Sequence, residues 1–254
     1  MLLWETALRE ISSLQHPLVK HLVKLRESRE YRYETSRVVI SGLKLIQELS
    51  SSRPFRTLIL EEGFIPSFSC PAVEIYSVPT AVLKKITGLV NPEPIAAELD
   101  MPLTQDLSSL NYLLILDGIS DPGNLGTLLR TALALGWEGA FLTPGSTDPF
   151  NEKAVRAAKG ATFKLPVKSG SWQELTALLQ EKKYTLYAAD AKGKNFSECR
   201  ISAPIALALG NEAHGLAREL TAAAQLLAIP MSGPMESLNV ASAGAILMYA
   251  LRQS

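Results

Sequence analysis

The sequence predicts an α/β protein in two parts: a larger second half built on a mainly parallel sheet with helices on both faces, and a small mixed α/β domain before it. Three observations carry this. Apolar strand-like runs at 112–116, 140–143, 185–189, 205–209 and 226–229 alternate with helical patterns at 125–135, 152–159, 172–183, 216–224 and 238–251, the alternation of a parallel sheet. The first hundred residues lack that regularity: an amphipathic segment at 14–25 is followed by short strand-like runs at 38–40, 57–60 and 74–78, with helical patterns at 43–49 and 81–86. Between the two lies DMPLTQDLSS, residues 100–109, polar, aperiodic and proline-containing. It reads as a linker and divides the chain into domains 1–106 and 107–254.

Composition narrows the class. With 47% hydrophobic and 20% charged residues the chain is globular rather than disordered. Its longest nearly uncharged apolar stretch, 238–251, falls short of the about 20 residues that cross a bilayer, so no membrane span is expected. The opening MLLWETALREISSL places Glu5, Arg9 and Glu10 among its apolar residues, which argues for a cytoplasmic protein without a secretory leader. Two cysteines, Cys70 and Cys199, and three scattered histidines make neither a disulfide framework nor a zinc site, so no metal is expected. Lysine plus arginine equals aspartate plus glutamate, 25 against 25. The charge is nonetheless uneven, with nine basic against four acidic residues over 16–56 and five against one over 152–168. These patches permit RNA without demanding it.

Parallel sheets bind ligands beyond the carboxyl ends of their strands, so the loops there carry the functional signal. The first, LDGISDPGNLGTLLR at 116–130, leaves a strand, turns at Asp121, Pro122 and Gly123, and enters a helix with Asn124 as the expected N-cap. A helix start beneath a strand end is a natural anion site. Arg130 falls about 130° from the centre of that helix's apolar stripe and points away from the core. Neither GxGxxG nor GxxxxGK[ST] is present, which excludes the usual dinucleotide and P-loop cradles. The second loop, LALGNEAHGL at 207–216, ends a strand at Gly210, where backbone is open to close approach, and presents Asn211 and Glu212. His214 is read as a solvated loop residue. The third, IPMSGPMESLNVASAGAILMY at 229–249, runs through two prolines and a glycine to Ser237, an expected N-cap, and then into a helix apolar on nearly all sides. Such a helix is buried on nearly all sides, most economically by a second copy of the chain.

Taken together, N124-x-G126-x3-R130, LGNEAHGL and IPMSGPMESLNVASA resemble the SpoU (TrmH) family of RNA ribose 2′-O-methyltransferases in the SPOUT superfamily, over roughly residues 107–254. SLQHPLVKHLVKL and VVISGLKLIQEL resemble, more weakly, the family's N-terminal RNA-substrate-binding domain. Ser41, where many relatives are acidic, and Ala157-Ala158, where relatives commonly have serine, depart from the pattern. The resemblance implies a C-terminal α/β knot, S-adenosylmethionine as cofactor, and methyl transfer to a ribose 2′-hydroxyl of rRNA or tRNA by a homodimer. It implies cofactor contacts from Leu209, Gly210, Asn211, Ile229, Met231 and Leu238. As catalytic residues it implies Arg130, with Asn124, Glu212, Ser237 and Asn239 holding ribose, arginine and cofactor in register. A guanidinium is never neutral to a useful extent, so Arg130 is read as stabilising the developing alkoxide rather than removing its proton. The alternative is an RNA-binding or assembly factor that keeps the fold without turnover.

Overall fold

The computed structural model describes residues 8–199, 202–211, 214–234 and 237–253. They form two compact units, 8–102 with 150–156, and 103–149 with 157–253.

In the first unit, β1 (Leu8–Glu10), β2 (Arg37–Ser41), β3 (Phe55–Glu61), β4 (Ala72–Val78) and β5 (Ile95–Asp100) form a sheet of order β1-β4-β3-β5-β2. The β1–β4 and β3–β4 pairs are parallel, and β5 runs antiparallel to both its neighbours. Helices α1 (Pro17–Glu27), α2 (Arg29–Thr35), α3 (Leu43–Ser50) and α4 (Thr80–Thr87) cover it. Val19, Leu22 and Leu25, spaced three apart on α1, pack with Leu83 and Ile86 of α4 over Ile59 and Ala96 of the sheet. Proline sits at the first position of α1, where its missing N–H costs nothing.

Sequence reasoning missed β1, β5 and α2. IAAEL has two alanines and a glutamate, all poor strand formers. Yet Glu98 is 2% exposed, held by Thr57 Oγ1 at 2.7 Å, Arg37 Nη1 at 3.0 Å and His21 Nε2 at 2.9 Å. Arg32, expected among the RNA-facing basic residues, is also buried. Its Nη1 donates to the carbonyls of Leu25 (2.6 Å) and Arg26 (2.9 Å), closing the end of α1.

The second unit has six parallel strands, β6 (Tyr112–Asp117), β7 (Gly139–Leu142), β8 (Val167–Ser169), β9 (Thr185–Asn195), β10 (Ile205–Gly210) and β11 (Gln225–Ala228), in the order β11-β9-β10-β6-β7-β8. Helices α5 (Pro122–Ala134) and α9 (Val240–Gln253) pack together on one face, where Gly244 lies between Leu128 and Leu209. On the other face α7 (Trp172–Lys182) and α8 (Arg218–Ala223) send Leu175 and Leu220 onto Leu113, Ile115, Ala206 and Ala208. Helix α6 (Glu152–Ala158) lies between β7 and β8 in the chain. Central strands buried on both faces explain the unbroken apolar runs. Leu107, within the stretch read as a linker, is buried in this second core.

Two N-caps differ from expectation. Asp121 caps α5: its Oδ1 accepts the N–H of Asn124 at 2.7 Å, so Asn124 lies inside the first turn. The cap's carboxylate meets the free N–H of that turn, which removes the basis for an anion site there. Asn239, not Ser237, caps α9, its Oδ1 accepting from Ala241 N at 2.9 Å and Ser242 N at 3.4 Å. No helix among the described residues is long and apolar enough to cross a membrane. Cys70 and Cys199 are both free thiols, and burial pushes Cys70 up to about 11.

Candidate active site

Strand order places β9 between β10 and β11, and where β10 ends and β9 runs on past it a cleft of about 500 Å³ opens, the size of a small-molecule pocket. Leu209, Gly210 and Asn211 line it from β10, and Ile229 and Met231 from the loop after β11. Ser237, Leu238 and Asn239 close it ahead of α9. Leu209 is fully buried and forms the floor, whereas Met231 and Leu238 are 40% and 38% exposed at the rim. Leu227, Val240 and Leu247 add apolar wall, and Asp190 puts a carboxylate into it. Asp190, midway along β9 and just past its pairing with β10, was missed by sequence reasoning although it follows the apolar run YAA.

Eight of the eleven residues named from sequence thus share one cleft. Asn124 joins it indirectly, its Oδ1 accepting from Asn239 Nδ2 at 3.1 Å. Arg130 is exposed on α5 and pairs with no carboxylate among the described residues. Glu212 lies outside the described residues.

The loops are held to one another by polar contacts. Asn211 and Gly215 exchange backbone hydrogen bonds of 3.1 and 2.8 Å, closing a tight turn. The side chain of Asn211 then donates from Nδ2 to the Gly118 carbonyl at 2.8 Å, tying this turn to the loop after β6. Asp117, at the end of β6 and 6% exposed, accepts from Thr143 Oγ1 and from Ala217 N, both at 2.7 Å. It anchors three loops at once. The reason for glycine at 210 also differs from expectation. A Cβ there would lie 2.6–2.7 Å from the backbone of Gly215 and Leu216, so the chain's own turn, rather than a ligand, makes the close approach.

Residues 111–249 match the SpoU rRNA Methylase family, and residues 16–97 match the MRM3-like substrate binding domain. The chain belongs to the SpoU rRNA methylase family. It is 34% identical over 249 residues to the 23S rRNA (guanosine(2553)-2′-O)-methyltransferase RlmP of Bacillus subtilis, covering 96% of this chain and 100% of that protein. A 23S rRNA (guanosine-2′-O-)-methyltransferase RlmB from Xylella fastidiosa is 33% identical over 71% of this chain and 78% of its own length. The crystal structure of an AdoMet-bound rRNA methyltransferase from Sinorhizobium meliloti superposes with a TM-score of 0.83 at 28% identity, covering 97% of this chain and 98% of that one. SpoU membership, with this α/β fold, makes the chain an S-adenosylmethionine-dependent RNA ribose 2′-O-methyltransferase. The lining suits that cofactor in kind: apolar walls for a nucleobase, with Asp190 as a carboxylate-bearing residue among them.

Proposed function

We propose that this protein methylates a guanosine ribose in 23S rRNA, in the cytoplasm and as a homodimer. The observation that carries the reading is the convergence of the second and third motif loops on one cleft, with the first loop tied to them by the Asn124–Asn239 and Asn211–Gly118 hydrogen bonds. The rRNA and guanosine assignments are supported by the names of the relatives, and domain 1–106 is taken to hold the RNA.

In this reading Leu209, Gly210, Asn211, Ile229, Met231 and Leu238 hold S-adenosylmethionine, which supplies an electrophilic methyl on a sulfonium. Arg130 stabilises the alkoxide developing on the ribose and fixes the adjacent phosphate with its planar fork. Asn124, Ser237, Asn239 and Glu212 keep these groups in register, so that positioning supplies much of the rate. The dimer is supported by the exposed face of α9. Ile246 and Tyr249, 38% and 57% exposed, border an apolar depression of about 650 Å³ that also includes Phe196 and Cys199. Arg130 then serves the cleft of the partner subunit.

The test is ribose-methylation mapping of rRNA from cells with and without the gene, with calorimetric titration of S-adenosylmethionine. A lost 2′-O-methylguanosine supports the proposal. Cofactor binding with an unchanged methylation map overturns the substrate. Absence of both favours the non-catalytic assembly factor.

A further inference from the structure

A second cavity of about 460 Å³ adjoins the cofactor cleft. It lies between the turn after β6, Gly145 after β7, and residues 211 and 214–217. Asn211, Gly215 and Leu216 line both cavities, so one turn of chain separates them. The two differ in character. The cleft is walled by branched apolar side chains, whereas much of the second cavity is bare backbone, with Gly118, Gly145 and Gly215 all at positive φ (63°, 89° and 69°). Its polar side chains divide in two. Asp117 is committed to Thr143 and Ala217 N, and Asn211 to the Gly118 carbonyl. Ser120 and His214 are the polar side chains at its mouth: Asn211 Nδ2 reaches Ser120 Oγ only at 3.4 Å, and His214 is exposed while its backbone N–H is fixed by Asn211 Oδ1 at 3.2 Å.

Methyl transfer to a ribose oxygen fixes where the second substrate must be. The attacking oxygen has to come within about 3–3.5 Å of the methyl carbon, so the acceptor nucleotide occupies space contiguous with the cofactor cleft. Choosing one nucleotide by sequence also calls for a surface that receives its base, as sequence-specific RNA recognition does with bases splayed out of single-stranded loops. A cavity sharing three wall residues with the cleft, floored by flat backbone and edged by a hydroxyl and an imidazole, meets both demands. We propose that this cavity is the acceptor-base pocket, that it takes the nucleobase of the target nucleotide, and that Ser120 and His214 read the base edge. The inference rests on the methyltransferase reading above and assigns the specificity-determining residues of that reaction.

Two measurements test it. In the first, Ser120→Ala and His214→Ala are assayed on a 23S rRNA transcript lacking modifications, and on transcripts with the methylated guanosine replaced by A, C or U. Loss of one hydrogen bond to the base predicts a KM for RNA raised about tenfold in each variant, with weaker discrimination between transcripts and S-adenosylmethionine affinity within about twofold of wild type. Unchanged KM and discrimination, or cofactor affinity lost in step with RNA, overturns the assignment. The second needs no turnover. The chain has three histidines, so the imidazole signal missing from His214→Ala identifies His214 in NMR spectra of the protein saturated with S-adenosylhomocysteine. Added guanosine 5′-monophosphate should move that signal and leave those of His16 and His21 in place; a stationary His214 signal overturns the pocket. Should the rRNA transcript go unmethylated by wild type while the nucleotide shifts His214, the substrate proposal falls and the pocket stands.

Discussion

Asn239 Nδ2 donates to Asn124 Oδ1 across 3.1 Å, joining two loops 115 positions apart, while Asn239 Oδ1 caps α9. One side chain therefore starts a helix with its carbonyl and fastens the first motif loop to the third with its amide. Asn239→Ala loses both and should cost about 1 kcal/mol of stability through the cap. Asn239→Asp keeps the capping acceptor and loses the donor. Thermal denaturation and methyl-transfer rates separate the two: the aspartate variant should recover the melting temperature but not the rate. A fully active Asn239→Asp would show the link to Asn124 to be dispensable.

Arg130 stands exposed and outside the lining of the cleft. Arg130→Ala should lower kcat at least about a hundredfold, the loss typical of one oxyanion-stabilising donor, and leave S-adenosylmethionine affinity nearly unchanged. Arg130→Lys should fail also, because a point charge does not reproduce a planar fork. Loss of cofactor binding in parallel with activity would remove Arg130 from the role given to it.

In the first unit the basic residues divide by burial. Lys20, Lys24 and Arg29 are exposed, with the Lys24 ammonium 4.0 Å over the Tyr31 ring, whereas Arg32 closes α1 from inside. Reversing Lys20 and Lys24 to glutamate should flatten the slope of log RNA affinity against log salt by roughly one for each phosphate no longer neutralised, with the melting temperature little changed. Arg32→Gln should do the opposite, lowering the melting temperature while the slope holds. If the Lys20 and Lys24 reversals leave the slope alone, phosphate binding lies elsewhere on the molecule.

The contrast between Lys24 and Arg32 shows where sequence reading stops. Charge composition marks a patch, but it does not say which member of the patch turns inward. The same limit hid β5, whose IAAELD depends on neighbours supplying partners for Glu98, a tertiary fact with no local signal. By contrast the central parallel strands of the second unit were legible because both-face burial writes itself as unbroken apolar runs, whereas the short edge strand β8 left no such run; the cleft was legible because two of the short motifs follow β10 and β11 and line it. Gly210 stood out as a residue needing close approach, yet the partner was invisible: the Gly215 backbone folds onto it through a turn that only the structure closes.

Glu98 gives a pH dependence. Burial raises its carboxyl, but hydrogen bonds from His21 and Thr57 and the charge of Arg37 outweigh this and hold it below the ordinary carboxylate range. A carboxylate depressed on folding contributes stability that is fully present above its unfolded pKa, about 4.3, and lost as pH falls through the folded value. Glu98→Gln should therefore melt below wild type at pH 7, with the gap narrowing as the solution is taken below pH of about 4. Parallel curves for the two proteins across that range would show that the network gains nothing from the charge.

The last prediction separates the two faces of α9. The small residues Ala241, Gly244 and Ala245 would let the backbone of a second copy come close, but a Cβ on Gly244 would lie 2.5 Å from Leu128 and 2.6 Å from Leu209, so Gly244 belongs to the packing of α9 on α5 and β10 within its own chain. A large residue at 244 should unfold the second unit rather than dissociate it. Ile246 and Tyr249 point the other way and are exposed. Tyr249→Glu should give a folded monomer that still binds S-adenosylmethionine, because these side chains lie outside the cleft lining, yet turns over poorly because Arg130 has been carried away with the partner. Mixing an Arg130→Ala chain with a Leu238→Trp chain should then restore part of the activity in the heterodimer. Sedimentation of wild type as a fully active 27.6 kDa monomer at micromolar concentration would refute both the interface and the shared site.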